Sequence, residues 1–190
     1  MAGSSKQVEP DDDARAVEAA LAGRQAGYSA LMRRHREPVF RMVRGHLGDE
    51  AAALDVTQES FIAAFQALRR YDPARAFRGW ILRIALNKCR DWRRRRGVRR
   101  LFTFASPIED AHAVADAAPD PETALASAHA VATIHVAITD LPDALKEPLL
   151  LCAMEGLTQD EAAGILGISR KAVETRLYRA RQKLAHLAEG

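Results

Sequence analysis

The chain has 190 residues, with 28 Lys and Arg against 25 Asp and Glu for a net charge of +3, and 6% aromatic residues within a 48% apolar content, enough for one medium domain or two small ones. The two cysteines, Cys89 and Cys152, are far apart and belong to no CxxC or Cys/His cluster, which argues against a disulfide scaffold and a structural zinc site and suits a reducing cytoplasm. No apolar run approaches the roughly 20 residues needed to cross a bilayer, and Met1 to Asp13 is polar and ends in three aspartates, so neither a signal peptide nor membrane insertion is expected and the chain reads as cytosolic.

Residues 1–27 read as a tail with a leading helix, in which Asp11 to Asp13 are expected to be solvated rather than metal-binding. A first long helix is predicted over about Ser29 to His46, with Leu31, Val39, Val43 and Leu47 compatible with one face; Pro38 bends it or marks a break. Gly48 and Asp49 look like a stop followed by an N-cap. The next helix is predicted over about Glu50 to Arg70, with Leu54, Phe61, Phe65 and Leu68 as its core stripe and Asp55, Gln58 and Glu59 on its acidic side. Asp72-Pro73 resembles a cap followed by a first helical turn, so a third helix is expected from there to about Arg96, burying Phe77, Trp80, Ile81, Ile84 and Ala85.

The small net charge conceals a strong asymmetry. Residues 69–100 carry 13 basic and 2 acidic side chains, whereas residues 101–140 carry none and 6. A block of that sign and density is what a polyanion is drawn to; the alternative is a solvated basic helix face. Residues 101–121 lose periodicity and gain Ala, Asp and Pro, a linker composition. Helical patterning returns from Glu122 to about Ile138, and again from Pro142 to Met154 with Leu145, Leu149 and Cys152 on one side. Cys152 there reads as a small core residue, Trp80 and Trp92 as core and edge packing, and the six scattered histidines offer no metal-ligand spacing.

Thr158-Gln159-Asp160-Glu161 has the form of a capping box, so a helix begins at Gln159. It is short, because Gly167 is free to take positive φ and Ser169 can cap the next helix. In that final helix Val173, Leu177, Ala180, Leu184 and Leu187 are spaced 4, 3, 4 and 3, and Arg170, Lys171, Glu174, Thr175, Arg179 and Arg181 occupy the other face. The layout is that of a helix-turn-helix whose second helix enters a major groove, or of an ordinary structural helical hairpin. Glu174 would accept from a cytosine amino group, and the Arg and Lys side chains would donate to guanine or phosphate.

Three motif groups in the first half, Asp55-Val56-Thr57-Gln58-Glu59-Ser60-Phe61, Tyr71-Asp72-Pro73 and Phe77-Arg78-Gly79-Trp80-Ile81-Leu82-Arg83-Ile84-Ala85-Leu86-Asn87, carry a family resemblance. So do Leu141-Pro142, Glu155-Gly156-Leu157-Thr158, Glu161-Ala162-Ala163, Leu166-Gly167-Ile168-Ser169 and Val173 to Arg181 in the second half. Together they resemble the bacterial RNA polymerase sigma factors of the sigma-70 family, in the extracytoplasmic-function (ECF) group that keeps the second and fourth conserved domains.

The resemblance implies an all-α chain of two small helical domains joined by a flexible acidic linker: domain 2 over 28–100, the linker over 101–121 and domain 4 over 122–190. It further implies that Asp55, Gln58 and Glu59 meet the clamp helices of the polymerase β′ subunit, with the β subunit also a partner. Tyr71, Asp72, Arg75 and Phe77, in and beside the loop that takes a flipped base, and Asn87, Arg90, Asp91 and Arg94 would serve the minus-ten element. Ser169, Arg170, Lys171, Glu174, Thr175 and Arg179 would read the minus-thirty-five element, with Arg176 and Arg181 on phosphates. The commonest family pattern has a basic residue at Glu174, Gly-Thr at Lys171-Ala172 and an apolar residue at Pro148. Such proteins bind promoter DNA, carry no cofactor or metal, catalyse nothing and are usually held by an anti-sigma factor. A stand-alone dimeric regulator is the second reading, but it leaves Asp55 to Phe61 and Phe77 to Asn87 unexplained. For a nucleic-acid enzyme the sequence offers no clustered carboxylates, nucleophile-base pair or phosphate loop, and nonspecific basic binding would need only the charge block.

Overall fold

The computed structural model describes residues 10–102 and 133–188, and the regular structure among them is entirely helical. The first unit comprises α1 (Pro10–Leu21), α2 (Gln25–Leu47), α3 (Glu50–Gln66), a 3-10 turn (Leu68–Arg70) and α4 (Phe77–Phe102). The second comprises α5 (133–140), α6 (Asp143–Leu149) with a π turn (Leu150–Met154), α7 (Gln159–Leu166) and α8 (Arg170–Ala188). The expected linker beyond Phe102, and the start of the helix expected from Glu122, lie outside the described residues.

α2 starts earlier than its predicted start and runs unbroken through Pro38. The proline forfeits one intrahelical hydrogen bond. Burial of Leu31, His35, Val39, Met42 and Val43 on one stripe holds the helix together across it. It stops as expected at Gly48, whose φ of 73° is left-handed, and Asp49 caps α3 by accepting from the Ala52 amide at 2.9 Å.

Within α3 the core stripe is Ala53, Val56, Phe61 and Ala64, whereas Leu54 is exposed. Seven residues separate Leu54 from Phe61, so spacing alone puts them on one side. The small residues along the stripe set the contact line with α2 and α4, and Leu54 falls beside it, exposed.

α4 begins at Phe77, not at Asp72-Pro73, and continues past Arg96. Asp72 spends its carboxylate within a turn, accepting from the Ala74 amide at 3.0 Å, and the Tyr71 hydroxyl donates to the Arg75 carbonyl. This local Asx chemistry competes with the helix start that the same two residues suggest.

The largest correction concerns the amino terminus. Asp13 is buried on α1, where its carboxylate accepts from His35 Nε2 at 2.9 Å and from Arg34 at 3.3 Å, while Asp12 pairs with Arg34 at 2.7 Å. Ala16, Val17 and Ala20 join the core, and Gly27 lets α2 press against α1 so closely that a Cβ there would lie 2.4 Å from the Ala20 nitrogen.

In the second unit Pro148 lies inside α6 and the following turn widens, with the Glu155 amide bonding to the Leu150 carbonyl at 3.1 Å. Leu149 is buried, but Leu145, in the first turn of α6, and Cys152, inside the wider π turn that shifts its residues off the α-helical stripe, are only half-buried. The capping box at Thr158 and Glu161 is present, Gly167 has φ 69°, and the Ser169 hydroxyl accepts from the Ala172 amide at 3.2 Å. Val173, Leu177 and Ala180 are buried and Leu184 packs at the edge of the core, whereas the Leu187 side chain lies outside what is described.

The expected result of Gly27→Ala is a loss of about 1–3 kcal/mol, since the added methyl meets backbone that cannot rotate away. Asp13→Ala should cost a similar amount, about 1–3 kcal/mol, by leaving His35 buried and unpaired. Urea unfolding followed by circular dichroism measures both, as a lowered midpoint at unchanged slope.

Candidate nucleic-acid and polymerase interface

On α3 the side chains of Asp55, Gln58 and Glu59 are exposed, and Leu54 and Ile62 are exposed beside them at 47% and 50%. Positions 54, 58 and 62 repeat every fourth residue, so this face has an apolar ridge flanked by carboxylates. Leu54 was missed because helical spacing assigns it to the core, and Ile62 because it stands outside the stripe that spacing picks out. Glu59 also lies 3.6 Å from Lys88 of α4.

The turn over 71–76 rests on an aromatic platform. The Tyr71 ring lies 5.2 Å from Trp80 and 5.6 Å from Phe77, which is 5.5 Å from Trp80. Phe77 is 1% exposed and also meets His35 at 5.1 Å, so it supports the turn from beneath and presents no face to a ligand. Burial, with the neighbouring Asp13 and Asp72 carboxylates, raises the Tyr71 hydroxyl above its ordinary range. Asp72, Pro73, Ala74, Arg75 and Ala76 stand exposed above the platform, with Arg75 3.5 Å from Asp72.

Along α4, Arg83, Asn87, Arg90 and Arg94 are exposed at spacings of 4, 3 and 4, one continuous stripe that adds Arg83 to the residues expected there. Arg94 pairs with Asp91 at 2.9 Å. Arg90 is differently placed: its Nε donates to Glu147 Oε1 at 2.6 Å, its Nη2 donates to the other carboxylate oxygen, and its Nη1 donates to Asn87 at 3.1 Å. Arg93 meets Asp143 at 2.5 Å. Arg78 donates to the Glu155 carbonyl at 2.6 Å and its carboxylate at 3.0 Å, and Arg41 reaches the same carboxylate at 3.3 Å.

The carboxylates of this seam at Glu147 and Glu155 are removed from water, whereas the arginines that meet them stay 36–44% exposed. Glu147 is 3% exposed and Glu155 is 4% exposed. Burial alone would raise the Glu147 carboxyl, but His46 and Arg90 facing it bring it below the ordinary carboxylate range. The Lys146 ammonium donates to the Thr139 carbonyl at 2.5 Å and to the His46 carbonyl, at the C-terminal end of α2, at 3.2 Å. Its burial, with Arg93 nearby, lowers it to about 8.

On α8 the exposed face carries Arg170, Lys171, Glu174, Thr175, Arg179 and Arg181, with Ser169 at the cap and Arg176 half-buried. Arg170 lies 3.3 Å from Asp160, and Thr175 donates to the Lys171 carbonyl at 2.9 Å. Tyr178 is 63% exposed in the middle of this face and accepts from Gln182 at 2.9 Å. It follows Glu174 by four residues, a signal that could have placed it with the groove candidates.

Residues 31–99 match the family model for sigma-70 region 2, and residues 132–184 match that for sigma-70 region 4. The RNA polymerase sigma factor CnrH of Cupriavidus metallidurans is 38% identical over 186 residues, covering 96% of this chain and 97% of CnrH. The ECF RNA polymerase sigma factor SigE of Mycolicibacterium smegmatis is 34% identical, covering 95% of this chain and 70% of SigE. The chain belongs to the ECF group of the sigma-70 family. The structure of CnrH in complex with the cytosolic domain of CnrY is similar to this ECF factor at a TM-score of 0.67 and 34% identity, covering 94% of this chain and 97% of that one. The sigma factor RpoE in complex with the anti-sigma factor NepR, from Bartonella quintana, shares the fold at a TM-score of 0.70 and 17% identity over 85% of this chain. In the ECF factor the region 2 match spans α2 to α4 and the region 4 match spans α5 to α8, so α1 stands outside both.

Because folding lowers the Lys146 ammonium from 10.5 to about 8, the unfolded chain binds that proton more tightly and stability rises with pH between those values. Burial of Cys89 works in the opposite direction above its own ordinary value, since the raised thiol keeps a proton that the unfolded chain loses. The Lys146→Met variant isolates the lysine: the stability of the parent relative to the variant should increase by about 2 kcal/mol between about pH 7.5 and pH 10. Thermal unfolding of both proteins across that range measures it.

Proposed function

We propose that this ECF factor is a dissociable initiation subunit of bacterial RNA polymerase that docks on the core enzyme, positions two helical units on two promoter elements and helps to open the DNA. What carries this reading is the presence, on one chain, of an exposed acidic and apolar face on α3, an arginine stripe on α4 and a capped helix-turn-helix in α7 and α8. The α3 face, through Asp55, Gln58 and Glu59 with Leu54 and Ile62, suits a basic coiled coil such as the β′ clamp helices. The exposed turn over 72–76 on its aromatic platform suits capture of an unstacked base, and Arg83, Asn87, Arg90 and Arg94 suit the melted strand beside it. On α8, Arg170, Lys171, Glu174, Thr175 and Arg179 suit base edges of the minus-thirty-five duplex, with Arg176 and Arg181 on phosphate.

The subunit catalyses no reaction itself and acts in the cytoplasm; among the described residues no helix is long and apolar enough to cross a membrane. An anti-sigma factor is its proposed regulator, supported by the CnrH relative, solved with the cytosolic domain of CnrY.

Transcription with sigma-free core polymerase on a pooled promoter library tests the reading. Discrete start sites that require this protein and share two spaced upstream motifs are expected; no protein-dependent starts, with polymerase binding absent in the same preparation, would overturn the reading in favour of the stand-alone regulator. On a promoter so defined, Arg179→Ala should weaken binding of the upstream element about tenfold or more and flatten selectivity there. Asn87→Ala should leave polymerase binding intact and slow opening, read by permanganate reactivity of the unpaired strand.

A further inference from the structure

The turn over 71–76 has little of its own to hold it. Asp72, Pro73, Ala74, Arg75 and Ala76 are exposed, and two local bonds close it, one from the Ala74 amide to Asp72 and one from the Tyr71 hydroxyl to the Arg75 carbonyl. A turn that captures an unstacked base binds it better if it is ordered before the base arrives, because ordering it on arrival costs affinity. What orders this turn lies in the packing beneath Tyr71.

That packing leads to α1. The Tyr71 ring meets Phe77 edge-on, with 70° between the ring planes, and Phe77 in turn meets the His35 ring of α2 at 5.1 Å. An imidazole has a broad choice of ring orientation unless a polar partner fixes it. His35 is fixed: its Nε2 donates to Asp13 Oδ2 at 2.9 Å, and Arg34 holds the other oxygen, Oδ1, at 3.3 Å, which sets the plane of the carboxylate as well. The Asp13 charge also acts on Tyr71 directly and helps to hold the proton that its hydroxyl donates to Arg75.

α1 is already attached to the core by Ala16, Val17 and Ala20, with Gly27 permitting the close approach. A buried carboxylate is a costly addition to such an apolar contact. What it supplies, and an apolar side chain would not, is a fixed direction for the ring it bonds.

We propose that Asp13 is a positioning residue for base capture: it fixes His35, His35 sets Phe77, and Phe77 holds the Tyr71 ring to which the turn over 71–76 is tied. α1, which stands outside both family matches, thereby belongs to the machinery of the minus-ten element. The inference rests on that turn being the receiver of the base. It adds that the receiver is set by a buried side chain that makes no contact with DNA.

The test is a cycle between protein and DNA, run on polymerase reassembled from sigma-free core and each variant at equal occupancy. Fork DNA bearing a promoter mapped by the transcription assay is made with each minus-ten base in turn replaced by an abasic site, and anisotropy reads binding. In the parent, loss of the captured base should weaken binding about tenfold. In Asp13→Ala that penalty should shrink to about threefold or less, because a misplaced receiver gains little from the base. Asp13→Leu, which fills the site without offering an acceptor, should behave in the same way. Asp13→Asn keeps an oxygen facing His35 Nε2 and should restore most of the penalty. Val43→Ala, a core truncation about two turns along α2 from His35, should lower the urea midpoint and keep the penalty whole.

A tenfold penalty retained in Asp13→Ala and Asp13→Leu would overturn the proposal and leave Asp13 a stabilising residue only. So would a penalty lost equally in Val43→Ala, since general loosening would then account for it, or one that Asp13→Asn fails to restore. Asp72→Ala is the control for the underlying reading: if loosening the turn itself leaves every abasic penalty at its parent value, the turn does not receive the base, whatever Asp13 does.

Discussion

Two carboxylates, Glu147 and Glu155, are buried where the second helical unit meets α2 and α4, and their need for positive partners organises much of the molecule. Arg90 meets one; Arg78 and Arg41 meet the other. The helices that present these arginines also carry the core of the first unit, so the position of α6 is tied to the packing of α2 against α4. Apolar contacts, with Leu150 and Met154 against Gly45 and Ile165 against Gly79, join the units as well. The ionic contacts add a part of the association that depends on whatever else can offer those guanidinium groups a negative charge.

The two surfaces assigned to DNA thus differ in kind. The α8 face is open, with Lys171, Glu174, Thr175, Tyr178 and Arg179 all solvent-exposed. It rests on Val173, Leu177 and Ala180, buried at the same helical spacing. The α4 stripe is divided: Arg83 and Arg94 face solvent, while Arg90 is held by the second unit. The apolar platform of Tyr71, Phe77 and Trp80 is built into the core itself, which fixes the turn above it independently of either surface.

How much of this was legible depended on how far along the chain each cause lies. The capping box at Thr158, the left-handed turn at Gly167 and the stop at Gly48 involve neighbours only, and each was readable. Asp72-Pro73 is a local signal with two solutions, a helix start or an Asx turn, and nothing nearby selects between them. Leu54 and Phe61 share a helical position, but only the placement of α2 and α4 decides which of them is covered. Asp13 finds His35 22 residues away, and Arg90 finds Glu147 57 residues away. The sequence displays those charges without their pairing. For the same reason the basic block announced a polyanion, while the acids that answer it from within the chain went unseen. The family motifs made the two units and their order legible, but gave no account of α1, which lies outside them.

That position of α1 bears on where the folded unit begins. A fragment cut at the family boundary, near Leu31, would lose the helix that supplies Asp13, Ala16, Val17 and Ala20 to the core. It would also lose Gly27 and the first turns of α2, and it would leave the imidazole of His35 and the ring of Phe77 beneath an open roof. The packed unit of the structure is therefore longer than the segment the family model matches. Material that the two family models leave out is, in this chain, the cap on the floor of the turn over 71–76.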